Sequence, residues 1–268
     1  MSRRPDLSLA SDAALTYRYD GTFEGFLCCV FESYTAHELP VAIVGPNAQE
    51  LSLFGVKEIT TDEEHADRVA RSIPARISHA ADELLRYAFL TCLPEKELVM
   101  LRFLRQGYRY GARFLSFAGN EEVWRLTRSV KHLLSEAHLL KGFIRFSDQK
   151  GVLVTTIGPK NFVLPFLAPH FAKRFPEERI LIYDENHHAA LVYHPYESAV
   201  IPMDDFRAAP PDEEERKFRA LWRAFYDAVE IRPRHNEKCR MTLLPKRYWR
   251  YMTEFTKDEP PEIAKIGN

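Results

Sequence analysis

The apolar pattern of this chain changes near Gly142, and the change limits the folds it can adopt. Before Gly142, apolar residues recur at helical spacing, as in the stretch from Phe23 to Phe31 that follows the N-cap residue Thr22. After it, short β-type runs alternate with turn sequences. We therefore expect an α+β protein, in which a mainly helical part (1–140) is packed on a small, mainly antiparallel sheet with flanking helices (141–268).

The same pattern predicts individual elements. The N-terminal part is expected to hold one strand, Val41–Val44, and about four further helices cut at Pro74, Pro94 and Gly119. In the C-terminal part the predicted strands are Phe143–Phe146, Val152–Ile157, Arg179–Tyr183 and Ala189–Tyr193, with a helix from near Pro165 to Phe175 between the second and the third. A last helix follows Pro210-Pro211, and its apolar stripe is expected to face the core: Phe218, Leu221, Trp222, Phe225 and Val229.

Composition excludes several classes of protein. With 268 residues the chain can bury a core without disulfides or metals, and 37 basic against 38 acidic residues leave a net charge that names no partner. The four cysteines form no C-x-x-C pair, and the sequence lacks a phosphate-binding loop, a dinucleotide fingerprint and an H-E-x-x-H pair. Residues 1–10 have no apolar signal-peptide core. We expect a cytoplasmic protein without metal, cofactor or membrane contact.

Basic residues recur every three or four positions between Leu101 and Phe114, with no acidic residue among them. They are Arg102, Arg105, Arg109 and Arg113. This spacing places four positive charges on one face of a helix, and interleaved aromatic residues are typical of surfaces that bind phosphates and stack on bases. The alternative is a solvated face whose charges meet carboxylates elsewhere.

A second basic region lies between Ile231 and Tyr251, where seven basic residues accompany one acidic residue, Glu237. Its densest part is the basic aromatic segment Lys246, Arg247, Tyr248 and Trp249. Cations neutralise the nucleic-acid backbone and aromatic rings stack on bases, so the segment predicts binding of single-stranded or distorted DNA. Alternatively, Tyr248 and Trp249 anchor the segment while the cations extend into water.

Acidic residues and histidines concentrate in the turn from Tyr183 to His188. An acid and an imidazole can form a general acid–base pair, and we expect this turn to form a polar pocket with His170 on the preceding helix. Polar residues are also ordinary in turns. Neither this turn nor His132, Glu136 and His138 on the predicted helix has the ligand spacing of a known metal site.

Five separated motifs together resemble a bacterial family of domains of unknown function associated with DNA repair or DNA metabolism. They are Tyr19–Leu27, Glu136-x-His138 leading into Gly142–Phe146, Leu164–Phe171 followed by Arg174-Phe175, Tyr183-Asp184-x-x-His187, and Pro245–Trp249. The resemblance implies a radical SAM protein as partner, and some members are fused to a uracil-DNA glycosylase superfamily domain. This chain lacks the cysteine triplet of a radical SAM cluster, so radical chemistry would belong to the partner. The polar positions of the motifs are the candidate catalytic residues: Glu136, His138, Arg145, His170, Arg174, Asp184 and His187.

Three functions are compatible with these observations. The first is a DNA-binding accessory protein that presents DNA to a radical SAM enzyme or a glycosylase through the arginine face and the basic aromatic segment. The second is an enzyme that acts on nucleotides or DNA ends through the histidine and acid cluster. The third is a protein–protein adaptor. We favour the first, because no nucleophile, metal motif or phosphate loop is evident in the sequence.

Overall fold

A computed structural model of the chain describes residues 15–46, 55–117, 119–231 and 236–256. The chain divides into two compact units, Met1–Leu133 and Leu134–Asn268. Helices are combined with a three-stranded and a five-stranded sheet, which confirms the predicted α+β class. Within the described ranges, no helix is both long enough and apolar enough to cross a membrane.

The first unit combines helices with a parallel sheet. Its elements are β1 (Leu15–Arg18), α1 (Phe23–Thr35), β2 (Ala42–Val44), β3 (Gly55–Glu58), α2 (Glu63–Arg76), α3 (His79–Phe89), α4 (Lys96–Tyr110), a first 3₁₀ helix (Gly111–Ser116) and the start of α5 (Glu121–Phe143). The strand order is β2-β1-β3, with both pairings parallel. Sequence analysis predicted only β2, because Val41–Val44 is a continuous apolar run. Strands β1 and β3 have four residues each and mix apolar with polar or charged residues, so they give no clear strand pattern.

Side-chain caps define where the first helices begin. Thr22 accepts a hydrogen bond from the backbone N–H of Gly25 at the start of α1, as predicted, and Asp62 and Ser78 cap α2 and α3 in the same way. The predicted break at Pro74 is wrong, since α2 continues through it to Arg76. Proline removes one backbone donor from a helix, but the ladder resumes after it, and the N–H of Ile77 donates to the Ile73 carbonyl at 2.9 Å.

The second unit is built on a five-stranded sheet. After α5 its elements are β4 (Ser147–Asp148), β5 (Val152–Ile157), α6 (Leu164–Arg174), β6 (Arg179–Asp184), β7 (Ala189–His194), β8 (Glu197–Pro202), α7 (Glu213–Ala228), α8 (Glu237–Leu243) and a second 3₁₀ helix (Lys246–Tyr251). The strand order is β4-β5-β6-β7-β8. Only the β5–β6 pairing is parallel within this sheet, with α6 as the connection, so the sheet is mainly antiparallel as predicted.

Two expectations for this unit are wrong. Helix α5 continues to Phe143, and the N–H of Ile144 still donates to the Leu140 carbonyl. Strand β4 begins only at Ser147, so the run from Phe143 to Phe146 is not a strand. The apolar stripe of α7 faces solvent instead of the core, and its members are Phe218, Leu221, Trp222, Phe225 and Val229. Amphipathicity shows that a helix has an apolar face, but it does not show what covers that face.

Candidate functional site

A buried carboxylate, that of Glu136, lies in the second unit. Glu136, on α5, is almost inaccessible to solvent and accepts hydrogen bonds from five donors. The donors are Tyr248 Oη (2.7 Å), Arg247 Nη2 (3.1 Å), Asn161 Nδ2 (2.6 Å) and the backbone N–H groups of Lys160 (3.1 Å) and Asn161 (2.9 Å). Burial alone would raise the pKa of Glu136, but the hydrogen bonds outweigh it and hold the pKa below its ordinary value. Glu136 is therefore ionised at neutral pH.

Arg247, Tyr248 and Glu136 form a closed three-residue arrangement, which we call the buried cluster. Arg247 Nη2 donates to Tyr248 Oη at 2.6 Å, and that hydroxyl donates onward to Glu136. Burial raises the pKa of Tyr248, so the hydroxyl keeps its proton for this bond. The carboxylate fixes both side chains to α5.

The same arrangement recurs three residues later as the surface cluster of Arg250, Tyr251 and Glu185. Arg250 Nη2 contacts Glu185 and the Tyr251 hydroxyl, and that hydroxyl donates to Glu185 at 2.7 Å. Arg250 is 63% exposed and Glu185 is 36% exposed, so these two side chains reach solvent, whereas Tyr251 is half-buried. Gly158 provides its space, because a Cβ there would come within 2.0 Å of the Tyr251 oxygen.

The second 3₁₀ helix generates this repetition. Such a helix has three residues per turn, so positions 247 and 250 share one side, and positions 248 and 251 share another. The sequence Arg-Tyr-Trp-Arg-Tyr shows the three-residue repeat directly. Sequence analysis did not single out Gly158 or Asn161. It placed Tyr251 in the basic region and Glu185 in the acidic turn without linking them, and the repeat was the signal that could have given Tyr251 a role parallel to that of Tyr248.

An aspartate–histidine pair occupies the turn after β6. Asp184 is fully buried, and its Oδ1 accepts the backbone N–H groups of Asn186 (3.1 Å) and His187 (3.3 Å). Its Oδ2 lies 2.7 Å from His187 Nδ1, and the imidazole is partly exposed beside the ring edge of Phe162. In the tautomer whose Nδ1–H donates to Asp184 Oδ2, Nε2 keeps its lone pair. This is the arrangement of an oriented base.

The other candidate residues differ from this pair in their surroundings. His138 is exposed on α5, and Arg145 binds Glu254 at 2.8 Å. His170 Nε2 is buried without a hydrogen-bond partner among the described residues, and burial, followed by Lys141 and Arg174, lowers its pKa. The described contacts of His170 and His187 have no residue in common. They give no support to the predicted pocket between these histidines.

The predicted arginine face of the first unit is interrupted. Helix α4 ends at Tyr110. Its C-cap Gly111 has a φ of 67°, which does not continue the α-helix, so Arg113 belongs to the first 3₁₀ helix. Arg105 turns inward and donates to Ser33 Oγ at 3.0 Å and to the Glu38 carbonyl at 3.1 Å. The remaining exposed members are Arg102, Arg109 and Arg113. The prediction of one continuous helical face with four positive charges is therefore wrong.

The basic aromatic segment is divided between anchors and exposed cations. Tyr248 is buried, so its predicted role in stacking on bases is wrong. Trp249 stacks on Phe255 at 4.6 Å and donates from Nε1 to the Leu244 carbonyl at 3.0 Å, which ties it to its own segment. Lys246 is 61% exposed, and its Nζ lies 3.7 Å from Glu237. The cations are thus presented by a segment whose aromatic residues hold it in place.

The second unit contains a small cavity of about 10 Å³. Its lining residues are Leu140, Phe143, Ile144, Thr155, Thr156, Ile157, Tyr248 and Tyr251. This volume holds at most one water molecule, so it cannot accept a nucleotide. Among the described residues, no group of three or more histidine, cysteine or acidic side chains is placed to hold a metal ion.

The fold and these side chains define an α+β protein with an aspartate–histidine pair in one turn and an anchored, cation-bearing 3₁₀ helix near its C-terminus. The chain belongs to the DUF4130 family, described as a domain of unknown function, whose family model matches residues 94–254. Four of the five sequence motifs lie inside the matched region, and Tyr19–Leu27 lies outside it. Comparison with curated proteins and with solved structures finds no match.

Proposed function

We propose that this chain is a cytoplasmic DNA-binding accessory protein of DNA repair or DNA metabolism. Its partners would be a radical SAM protein and, in some settings, a uracil-DNA glycosylase family protein, as the family resemblance implies. One observation carries the DNA-binding part of the proposal. The second 3₁₀ helix is held to α5 by the hydrogen bond from Tyr248 to Glu136 in the buried cluster. On the same helix, Lys246 and Arg250 extend into solvent.

The cations of this region differ in their availability for DNA. Arg247 forms an ion pair with the buried Glu136, and Arg250 forms one with Glu185, so neither guanidinium is fully available. Lys238 is exposed on α8, and the exposed ion pair of Lys246 with Glu237 is weak enough for a phosphate to replace. Lys238 and Lys246 are therefore the residues we expect to contact phosphates.

The test is a DNA titration of the full chain at several salt concentrations, with single-stranded and double-stranded oligonucleotides. The double variant Lys238→Ala/Lys246→Ala should bind more weakly, and the slope of log affinity against log salt should decrease by about 1.4 to 1.8. The matched control Lys173→Ala/Lys217→Ala removes two exposed charges from α6 and α7 and should bind like the unaltered chain. Absence of DNA binding, or equal slopes for the two double variants, would refute the proposal.

A second candidate function is supported by the aspartate–histidine pair. The 2.7 Å contact between Asp184 and His187 Nδ1 orients Nε2 as a base that could act on a nucleotide or a DNA end. His187→Ala should then abolish turnover of oligonucleotide ends while DNA affinity is unchanged. His188→Ala, which alters the neighbouring exposed imidazole, is the matched control. Equal turnover by both variants would exclude this function.

A further inference from the structure

Helix α5 presents a basic, aromatic face in the first unit. Between Val123 and Leu133 the sequence contains two arginines, one lysine and no acidic residue. Trp124, Arg128 and Lys131 are exposed, and their spacing of four and three positions places them on one side of the helix, which we call the α5 face. The buried side of the helix in this unit consists of Val123, Leu126, Val130 and Leu133.

The ring of Trp124 is open to a ligand. Trp124 is 54% exposed, and its indole N–H has no hydrogen bond within the described residues. By contrast, Trp222 and Trp249 donate from Nε1 to acceptors of the second unit. The guanidinium carbon of Arg128 lies 5.0 Å from the centre of the Trp124 ring, a distance at which cation–π attraction holds the two side chains together. The ring is thus oriented by Arg128 without being enclosed.

The cations of the α5 face are available to phosphates. Within the described ranges, Arg128 and Lys131 form no ion pair. The neighbouring Arg125 lies 3.9 Å from Glu121, and a pair with so exposed a carboxylate contributes little. Positive charges without carboxylate partners attract a polyanion, and an exposed ring among them can stack on an unpaired base.

We propose that the α5 face binds single-stranded DNA, with one base stacked on Trp124 and phosphates at Arg128 and Lys131. The choice of DNA as the ligand rests on the proposed function, whereas the site rests on the side chains of α5. The face supplies a base contact that the second 3₁₀ helix does not offer, since Tyr248 is buried and Trp249 stacks within its own segment. Bases in a duplex are paired and stacked on each other, so Trp124 should distinguish single-stranded from double-stranded DNA.

Titration of the full chain into a fluorescein-labelled thymidine oligonucleotide, followed by anisotropy, tests the base contact. Trp124→Ala should lower the affinity for the single strand between about fivefold and about a hundredfold, which is the contribution of one base stacked on one ring. The affinity for the same labelled strand annealed to its complement should not change. Trp124→Phe keeps a smaller ring, so its affinity should lie between those of Trp124→Ala and the unaltered chain.

The salt dependence of binding tests the phosphate contacts. Arg128→Ala/Lys131→Ala should weaken single-strand binding and reduce the slope of log affinity against log salt by about 1.4, since each contact to a single strand contributes about 0.7. Trp124→Ala should leave this slope unaltered, because it removes no charge. A purely structural role of these side chains would not divide the two effects in this way.

The matched control is Tyr196→Ala, at an aromatic residue that is 79% exposed and whose hydroxyl donates to Glu177 at 2.5 Å. A carboxylate beside the ring repels phosphates, so this variant should bind like the unaltered chain. Circular dichroism should show that every variant stays folded, because the altered side chains are exposed.

Folded Trp124→Ala with unaltered single-strand affinity would overturn the proposal, and so would equal losses on single-stranded and double-stranded DNA. A chain that binds neither form would refute the proposed function and this inference together. If Trp124→Ala weakens binding and Lys238→Ala/Lys246→Ala does not, the α5 face stands and the proposed phosphate contacts of Lys238 and Lys246 are wrong.

Discussion

The buried cluster and the surface cluster have the same three side chains and the same hydrogen bonds, but they lie in different surroundings. Glu136 is enclosed by protein and receives five hydrogen bonds, whereas Glu185 is 36% exposed. A buried charge that loses its partners carries a large desolvation penalty, whereas water replaces the partners of an exposed one. The comparison teaches that a contact pattern alone does not define a role. We infer that the buried cluster stabilises the fold, whereas the surface cluster contributes little to stability and lies on the solvent-facing side of the segment.

The largest expected difference between the clusters follows from removing each carboxylate. Glu136→Ala leaves two buried backbone donors, Tyr248 and Arg247 without their acceptor, and should lower the free energy of unfolding by ~3–5 kcal/mol. Glu185→Ala should cost no more than ~1 kcal/mol. Urea denaturation monitored by tryptophan fluorescence measures both. Similar losses for the two variants would contradict the assigned roles.

A smaller effect is expected where the surface cluster approaches the backbone. Gly158→Ala places a methyl group against the Tyr251 oxygen and should cost ~1–3 kcal/mol through overpacking. Tyr251→Phe removes the contacted oxygen, so it should recover part of the loss in the Gly158→Ala background. Thermal unfolding of the two single variants and the double variant provides the comparison. A neutral Gly158→Ala would show that Tyr251 is not packed against this loop.

The smallest effect concerns pH. The pKa of Glu136 is lowered in the folded chain from its ordinary value of 4.5, so the unfolded chain takes up this proton first as the pH falls. The stabilising contribution is complete above the ordinary pKa and is lost as the pH falls through the folded pKa. Denaturation curves between about pH 7 and about pH 3 should therefore show a steeper loss for the unaltered chain than for Glu136→Gln. Parallel pH profiles would contradict this linkage.

Sequence reasoning predicted the elements with a strong local signal. The N-cap of α1, helix α6 at Pro165 and strands β5, β6 and β7 are at the predicted places, because their caps and β-branched runs are encoded locally. The three-stranded parallel sheet was missed because its pairing joins short segments that are distant in the sequence.

The candidate site was predictable in residue identity but not in role. Asp184 and His187 stand three positions apart in one turn, so their contact could be expected from the sequence. Glu136 and Tyr248 are separated by 112 positions, and only the fold brings the carboxylate to the hydroxyl. The exposure of the α7 stripe was not predictable, because a helical periodicity is the same whether a core or another molecule covers it.

The most direct test of the different roles is a pair of double-mutant cycles. One cycle combines Glu136→Gln with Arg247→Gln, and the other combines Glu185→Gln with Arg250→Gln, with unfolding free energies measured in one buffer. We predict a coupling energy of about 2 kcal/mol for the buried pair and below about 0.5 kcal/mol for the surface pair. Equal coupling energies would contradict the conclusion that the buried cluster stabilises the fold while the surface cluster, on the solvent-facing side, contributes little.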